Sequence, residues 1–349
     1  MIYFLSAFLI SVVLTYVVRK IAIYFKVVDT PDNGRHKHKK SVALLGGIAL
    51  FISFWLMVAY VAFYTDILGQ NIHAMQLVSV FFASLMLIII GVWDDKENVS
   101  PLTRIIFSAL AVGLVILGGV GLEGITNPFG GILKLDIWQI SILGAGTFWV
   151  LADLLVFFWL MGMMYTTKIL DGLDGLTTGI VLIGALMIYF LSSTAAFYQP
   201  DTALLALILA GVCLGFLLLN FHPAKIFLGE GGGLFLGFML GLLAIISGGK
   251  IATALLVMAI PILDLFWVIY KRVKNKKSVF TGDRLHLHFR LIDIGLSHRT
   301  VVLMLYVISF TFGITTLVLP SKYKLLVLVL LLIFFLLSTR IIGKKERVK

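Results

Sequence analysis

Three groups of carboxylates stand where long apolar runs end, and their types and spacing suit a cation held together with phosphates. Asp94 and Asp95 are adjacent, in Gly91-Val-Trp-Asp-Asp. Neighbouring carboxylates repel and stay ionised only beside positive charge. A hard divalent cation such as Mg²⁺ supplies that charge and keeps positions open for phosphates and water. The plainer role for the pair is a solvated cap for the helix that follows. Asp171 and Asp174, in Asp-Gly-Leu-Asp-Gly, share one face if the segment is helical, and their glycines permit turns and close backbone approach. Here the plainer role is an N-cap, which Asp174 could fill. Glu230 lies in Gly229-Glu-Gly-Gly-Gly, where the free N–H groups of a helix start favour an anion such as phosphate. Glycine runs also serve helix packing in membranes.

Basic residues stand near these groups in the sequence. In Asp283-Arg284-Leu-His286-Leu-His288-Phe-Arg290, an extended chain points both histidines the same way. With Arg284 and Arg290 they could grip a pyrophosphate. Zinc is the rival use of two histidines, but no further ligand stands at the usual spacing. The lysines from Lys271 to Lys277 read as a juxtamembrane anchor to anionic lipid. A denser basic loop, Arg35-His-Lys-His38-Lys-Lys40, precedes Leu45-Gly46-Gly47. It suits either a membrane surface or the phosphates of a nucleotide or lipid.

The elements that must position these residues are set by composition. Of 349 residues 60% are hydrophobic and 13% charged, and mean hydropathy is +1.08. A soluble domain is nearer half apolar and about a quarter charged, so that class is excluded. Continuous apolar runs predict eleven spans, centred near residues 2–24, 42–64, 77–93, 104–121, 138–164, 175–194, 202–219, 232–248, 251–270, 301–319 and 323–342. The first lacks a basic leading segment and a small-residue cleavage site, so a retained helix is expected. Cys213, the single cysteine, lies in an apolar run, which leaves no disulfide framework. Of the 28 basic residues, 24 fall on one side of this arrangement and only Lys134, Lys250, Lys322 and Lys324 on the other. The positive-inside rule makes the first side cytoplasmic, with the N-terminus outside and the C-terminus inside. The net charge of +11 is then a topological excess and calls for no nucleic acid. Leu122–Leu135 is expected to form a small hairpin outside the membrane. No internal repeat is visible, so the inverted-repeat signature of many transporters is missing. The fold expected is an all-α polytopic membrane protein, a single domain over 1–349, with 271–300 as a cytoplasmic substrate-recognition loop.

Taken in order, Arg35 to His38 with Gly46-Gly47, Asp94-Asp95, Asp171-Gly-Leu-Asp174-Gly, Asn220-Phe-His-Pro-Ala-Lys225 with Gly229-Glu230, and Asp283-Arg-Leu-His286-Leu-His288 resemble the polyprenyl-phosphate N-acetylhexosamine-1-phosphate transferases over nearly the whole chain. The last segment looks more like the branch that starts teichoic acid, O-antigen or related cell-wall polysaccharides than the muramoyl-pentapeptide branch. The resemblance implies transfer of a sugar 1-phosphate, N-acetylglucosamine 1-phosphate in this branch, from a UDP-N-acetylhexosamine to undecaprenyl phosphate. UMP would be released with Mg²⁺, or Mn²⁺ in its place, at the cytoplasmic face of the plasma (inner) membrane. It further implies that Asp94 or Asp95 activates the lipid phosphate, and that Asp95, Asp171, Asp174 and Glu230 hold the metal or its surroundings. Catalytic roles thus fall to Asp94, Asp95, Asp171 and Asp174. Arg284, His286 and His288, with Arg290, would bind the diphosphate and sugar; Lys40 and Asn220 the nucleotide; Phe227 would stack on uracil. Arg35, His38, Lys168 and Lys225 complete the substrate-binding set. A homodimer is a further expectation of the family.

This chain departs from the family pattern at several positions. Lys168 stands where asparagine is usual, Glu230 where aspartate is, Gly233 where serine is common and Phe289 where a third histidine is common. A lysine beside the carboxylates brings its own cation, which could pair with a phosphate or weaken metal binding. Two other functions stay open. A transporter or lipid flippase would line its path with mid-membrane ionisable groups, for which Asp153 and Asp264 are the candidates. A catalytically weakened homologue would bind polyprenyl phosphate without turnover.

Overall fold

The computed structural model describes residues 1–30, 41–122, 124–127, 131–135, 137–142, 146–247, 250–278 and 284–348. Its helices are α1 (Ile2–Tyr24), α2 (Gly46–Tyr64), α3 (Ala74–Glu97), α4 (Pro101–Leu117), α5 (Val150–Leu170), α6 (Leu176–Ser192), α7 (Pro200–Asn220), α8 (Gly229–Ile246), α9 (Ile251–Val257), α10 (Ala259–Lys274), α11 (Leu287–Asp293), α12 (His298–Val318) and α13 (Ser321–Val348). Among the described residues eight helices are long and apolar enough to cross a bilayer, and nine if α9 and α10, bent by 74°, make one span. Apolar α4 and α6 are shorter, at 17 residues each. The protein is therefore a mainly helical polytopic membrane protein of the all-α class, as lipid demands of a chain whose backbone must bond within itself.

Each predicted run coincides with a helix or with the bent pair, with one correction. Within the run over 138–164, strands β5 (Gln139–Ile142) and β6 (Gly146–Trp149), paired antiparallel, precede the helix. Gln139, Ser141 and Thr147 alternate with apolar residues there, a period of two that suits a strand. The expected hairpin in Leu122–Leu135 is present, pairing β3 (Gly124–Thr126) with β4 (Ile132–Lys134).

Helices α7 and α8 form the centre: 78% and 83% of their apolar windows are buried, against 22% in α1 and α13. The outer helices show their apolar faces, with Leu5, Leu9, Val13, Leu326 and Leu330 exposed, as lipid contact requires. Small residues let backbones meet where side chains would intervene. At the start of α8, Gly231 lies against Gly91 of α3, and Gly232 against Gly47 of α2. Gly233, Gly237 and Gly241, one helical turn apart, face Lys168, Thr167, Met163 and Leu160 of α5, and Thr167 Oγ1 donates to the Gly233 carbonyl at 2.8 Å. Ahead of α2, β1 (Val28–Asp29) pairs with β2 (Val42–Ala43). The Gly46 and Gly47 N–H groups then donate to the carbonyls of Phe227 and Leu228. The glycine run of α8 thus packs three neighbouring helices together, and carboxylates from α3, α5 and α8 meet at one end of the bundle.

Candidate active site

At that end lies a cavity of about 610 Å³, lined among others by Asp94, Asp95, Asp171, Asp174, Glu230 and Lys168. Neither acidic pair is the solvated cap that its sequence also allowed. Asp94 is buried, and its Oδ2 accepts from Arg104 Nη1 at 2.5 Å, while Ser100 caps α4 instead. Asp95 Oδ1 accepts the backbone N–H of Glu230 at 3.0 Å, so the acceptor at the α8 N-terminus is Asp95. The N-cap of α6 is Gly175, at φ 79°, not Asp174. Asp174 Oδ2 instead lies 2.7 Å from His222 Nδ1 and accepts the Ala224 N–H at 3.1 Å.

Lys168 closes the acidic cluster. Its Nζ is 2.5 Å from Glu230 Oε2 and 3.7 Å from Asp94 Oδ2, and Arg104 Nη1 is 4.0 Å from Glu230 Oε1. Among the described residues, Asp95, Asp171 and Asp174 form no ion pair with a lysine or arginine. The cost shows at Asp171, at the end of α5. Burial, and then the charges of Glu230, Asp174 and Asp95, raise its carboxyl well above the ordinary carboxylate range. A carboxylate so crowded fits a divalent cation, and Mg²⁺ takes one or two carboxylates with water and phosphate completing its shell. No three of Asp95, Asp171, Asp174 and Glu230 bring ligand atoms within 4.8 Å of one another; among the described residues Asp174, His222 and His298 do so. The donor set therefore suits an ion shared with substrate phosphates rather than an all-protein cage.

The substrate-binding candidates divide. Asn220, Phe227 and Arg284 line the cavity. Asn220 accepts from Thr178 Oγ1 at 3.1 Å and donates to the Ile226 carbonyl at 3.0 Å, and so fixes the turn that carries His222. Arg284 lies over the Phe289 ring, 4.9 Å from its centroid, and pairs with Asp293 at 2.7 Å. Lys225 is exposed and off the cavity wall. His286, His288 and Arg290 are buried behind that wall. His286 begins α11 rather than an extended strand, its Nδ1 2.9 Å from Asp264 Oδ2, and Asp264 Oδ1 accepts the Leu287 N–H at 2.9 Å. The two histidine rings lie parallel, 5.8 Å apart between centroids. His288 packs on the Cα of Gly172, leaving no room for a side chain there. Burial, aided by His286 and Arg284, lowers its pKa to about 3, so it faces the Asp171–Asp174 turn as a neutral ring. Arg290 Nη2 donates to the Thr339 carbonyl at 3.2 Å. Arg35, His38, Lys40 and Asp283 lie outside the described residues.

Several residues that belong to the site were silent in the sequence. Arg104 is one of the 24 basic residues on one side of the spans, and its sequence neighbours do not set it apart from the rest. His298 stacks on His222 at 4.1 Å between centroids. Tyr306 of α12 fills the space left by Gly179 and donates to the Gly175 carbonyl at 2.5 Å, pinning the carboxylate turn. The intramembrane carboxylates have local partners: Asp264 holds α11, and Asp153 Oδ2 accepts the Trp149 N–H at 3.0 Å, closing the first turn of α5.

Comparisons with known proteins bear on this site. The family model described as glycosyl transferase family 4 matches residues 77–248, which carry Asp94, Asp95, Asp171, Asp174 and Glu230, while Asp29, which also lines the cavity, lies before them. A probable undecaprenyl-phosphate N-acetylglucosaminyl 1-phosphate transferase of Bacillus subtilis is 30% identical over 97% of this chain and 91% of its own length. A decaprenyl-phosphate N-acetylglucosaminephosphotransferase of Mycolicibacterium smegmatis is 31% identical over 86% of this chain and 77% of its own. An undecaprenyl-phosphate alpha-N-acetylglucosaminyl 1-phosphate transferase of Yersinia pestis is 27% identical over 85% and 78%.

Proposed function

Because this chain belongs to glycosyl transferase family 4, we propose that it transfers N-acetylglucosamine 1-phosphate from UDP-N-acetylglucosamine to undecaprenyl phosphate, releasing UMP, as a first membrane step in building a cell-envelope polysaccharide. The observation that carries the proposal is the convergence of Asp94, Asp95, Asp171, Asp174 and Glu230 with Arg104 and Lys168 on one cavity at the end of an apolar bundle. Relatives named for a polyprenyl phosphate, undecaprenyl or decaprenyl, and for this sugar support it over a transporter, whose candidate carboxylates here hold helix ends instead.

In the reaction an oxygen of the lipid phosphate attacks the sugar-linked phosphorus, and the bond from that phosphorus to the UMP oxygen breaks. Lipid phosphate is largely ionised at neutral pH, so no strong base is required, and the burial of Asp94 on Arg104 suits positioning rather than proton removal. Mg²⁺, when bound, would offset the diphosphate charge. Asp171, with Asp95 and Asp174, would hold it, and Glu230 would join if released from Lys168. Phe227 and Arg284 line the cavity where the nucleotide and diphosphate would lie, while His286, His288 and Asn220 keep its walls in place. The acceptor's tail would run along the exposed apolar helices. We place the cavity on the cytoplasmic side of the plasma membrane, with eleven crossings and the N-terminus outside. The support is the segregation of 24 basic residues to one side.

The test is UMP release by the detergent-purified protein from a panel of UDP-sugars with undecaprenyl phosphate, with Mg²⁺ and with EDTA. Turnover with UDP-N-acetylglucosamine that EDTA abolishes is expected; no UMP from any donor refutes the proposal.

A further inference from the structure

We propose that Lys168 is a resident counter-ion that sets the divalent-cation affinity of the site by competing for Glu230. The inference rests on reading the carboxylate cluster as a cation site.

Five of the six carboxylates around the cavity fall into two sets. Asp94 and Glu230 are matched by Arg104 and Lys168, whereas Asp95, Asp171 and Asp174 form no such pair among the described residues. A cation drawn to the second set finds Glu230 already engaged, with an ammonium 2.5 Å from its Oε2. It must displace that ammonium or lie close to it, and like charges a few ångströms apart repel.

Backbone movement cannot easily relieve the competition. Lys168 is in the last turn of α5, with its Cα against Gly233 of α8, where the helix dipole also favours a cation. Its neighbour Thr167 is bonded to the Gly233 carbonyl. Glu230 is in the first turn of α8 with its N–H on Asp95. Both side chains thus spring from helices held in contact by glycine. The heads can still part, because the Glu230 side chain is 36% exposed and Lys168 reaches it by a flexible stem. The pair therefore tunes the site and does not seal it.

The test is Mn²⁺ binding to the purified full chain without substrate, followed by the electron paramagnetic resonance signal of free Mn²⁺. Lys168→Met should bind about tenfold tighter than the unchanged protein, and Lys168→Arg, which keeps the charge, should stay within about threefold. Adding Glu230→Gln to Lys168→Met should remove the gain. If Lys168→Met does not fold, Lys168→Gln carries the same expectation. Equal or weaker binding by the neutral variant overturns the inference alone. Absence of Mn²⁺ binding in every form overturns the cation-site reading together with it. Tightened binding by Lys168→Met, with no UMP released by the unchanged protein from any donor, sinks the transferase proposal and leaves this inference standing.

Discussion

Asp95 of α3 accepts the backbone N–H of Glu230, 135 residues later, at 3.0 Å, and so supplies the acceptor at the start of α8. Gly229 makes the approach feasible. It sits at φ +73°, and a Cβ there would collide with Asp95 Oδ2. Gly229→Ala should lower the melting temperature and reduce turnover at least tenfold, since the backbone strain costs about 1 kcal/mol or more and the clash drives Asp95 off its bond. Melting and UMP release measured on one preparation check this; a variant with unchanged rate would detach Asp95 from catalysis.

Arg104 holds the buried Asp94 at 2.5 Å. Arg104→Met leaves that carboxylate with Lys168 alone, 3.7 Å away, and so costs part of the roughly 3–5 kcal/mol typical of a buried pair broken from one side. Asp94→Asn should be milder, because Arg104 is partly exposed and stands 4.0 Å from Glu230. The expected order of stability is unchanged protein, then Asp94→Asn, then Arg104→Met, as read from thermal unfolding in detergent. The reverse order would show that Asp94 has another partner of greater weight.

How much of this was legible in the sequence follows from the range of each signal. Spans and acidic clusters are local patterns, so helix positions, the hairpin after α4 and the cavity carboxylates could be read directly. Gly231 against Gly91 and Tyr306 against Gly179 are contacts between distant segments, and nothing in either segment names its partner. Arg104 was hidden by the abundance of basic residues on the same side, any of which could have answered Asp94. His286 and His288 misled for a different reason. Their spacing of two fits a strand, but Asp264 stands ready to cap a helix at Leu287, and capping fixed the conformation.

Asp171 lacks a basic partner among the described residues, and its carboxyl is raised well above the ordinary range by burial and by Glu230, Asp174 and Asp95. A carboxyl with a raised folded-state pKa loses stabilisation as pH rises through and beyond its ordinary value of 3.8. Asp171→Asn removes that burden. The metal-free variant should melt a few degrees higher than the unchanged protein at pH 7, by an increment that shrinks toward pH 4, while UMP release falls by at least a hundredfold. Melting curves across pH with EDTA present decide the first part. A variant no more stable at pH 7 would mean that Asp171 is not under electrostatic load.

His288 is the converse case, a base kept neutral. Burial first, and then His286 and Arg284, lower its pKa to about 3 against an ordinary 6.5. Between those values the unfolded chain binds a proton that the folded chain refuses, so folded stability falls as pH drops from about 6.5 toward about 3. His288→Asn removes the titrating ring. Its melting temperature should start lower at pH 8, because ring packing against Gly172 and Phe289 is lost, but decline less steeply on acidification. Gly172→Ala would push on the same ring without removing it, and should keep the steep acid dependence at reduced overall stability. Parallel slopes for His288→Asn and the unchanged protein would mean that His288 is protonated in the fold, and would return it to the role of a charged ligand for the diphosphate.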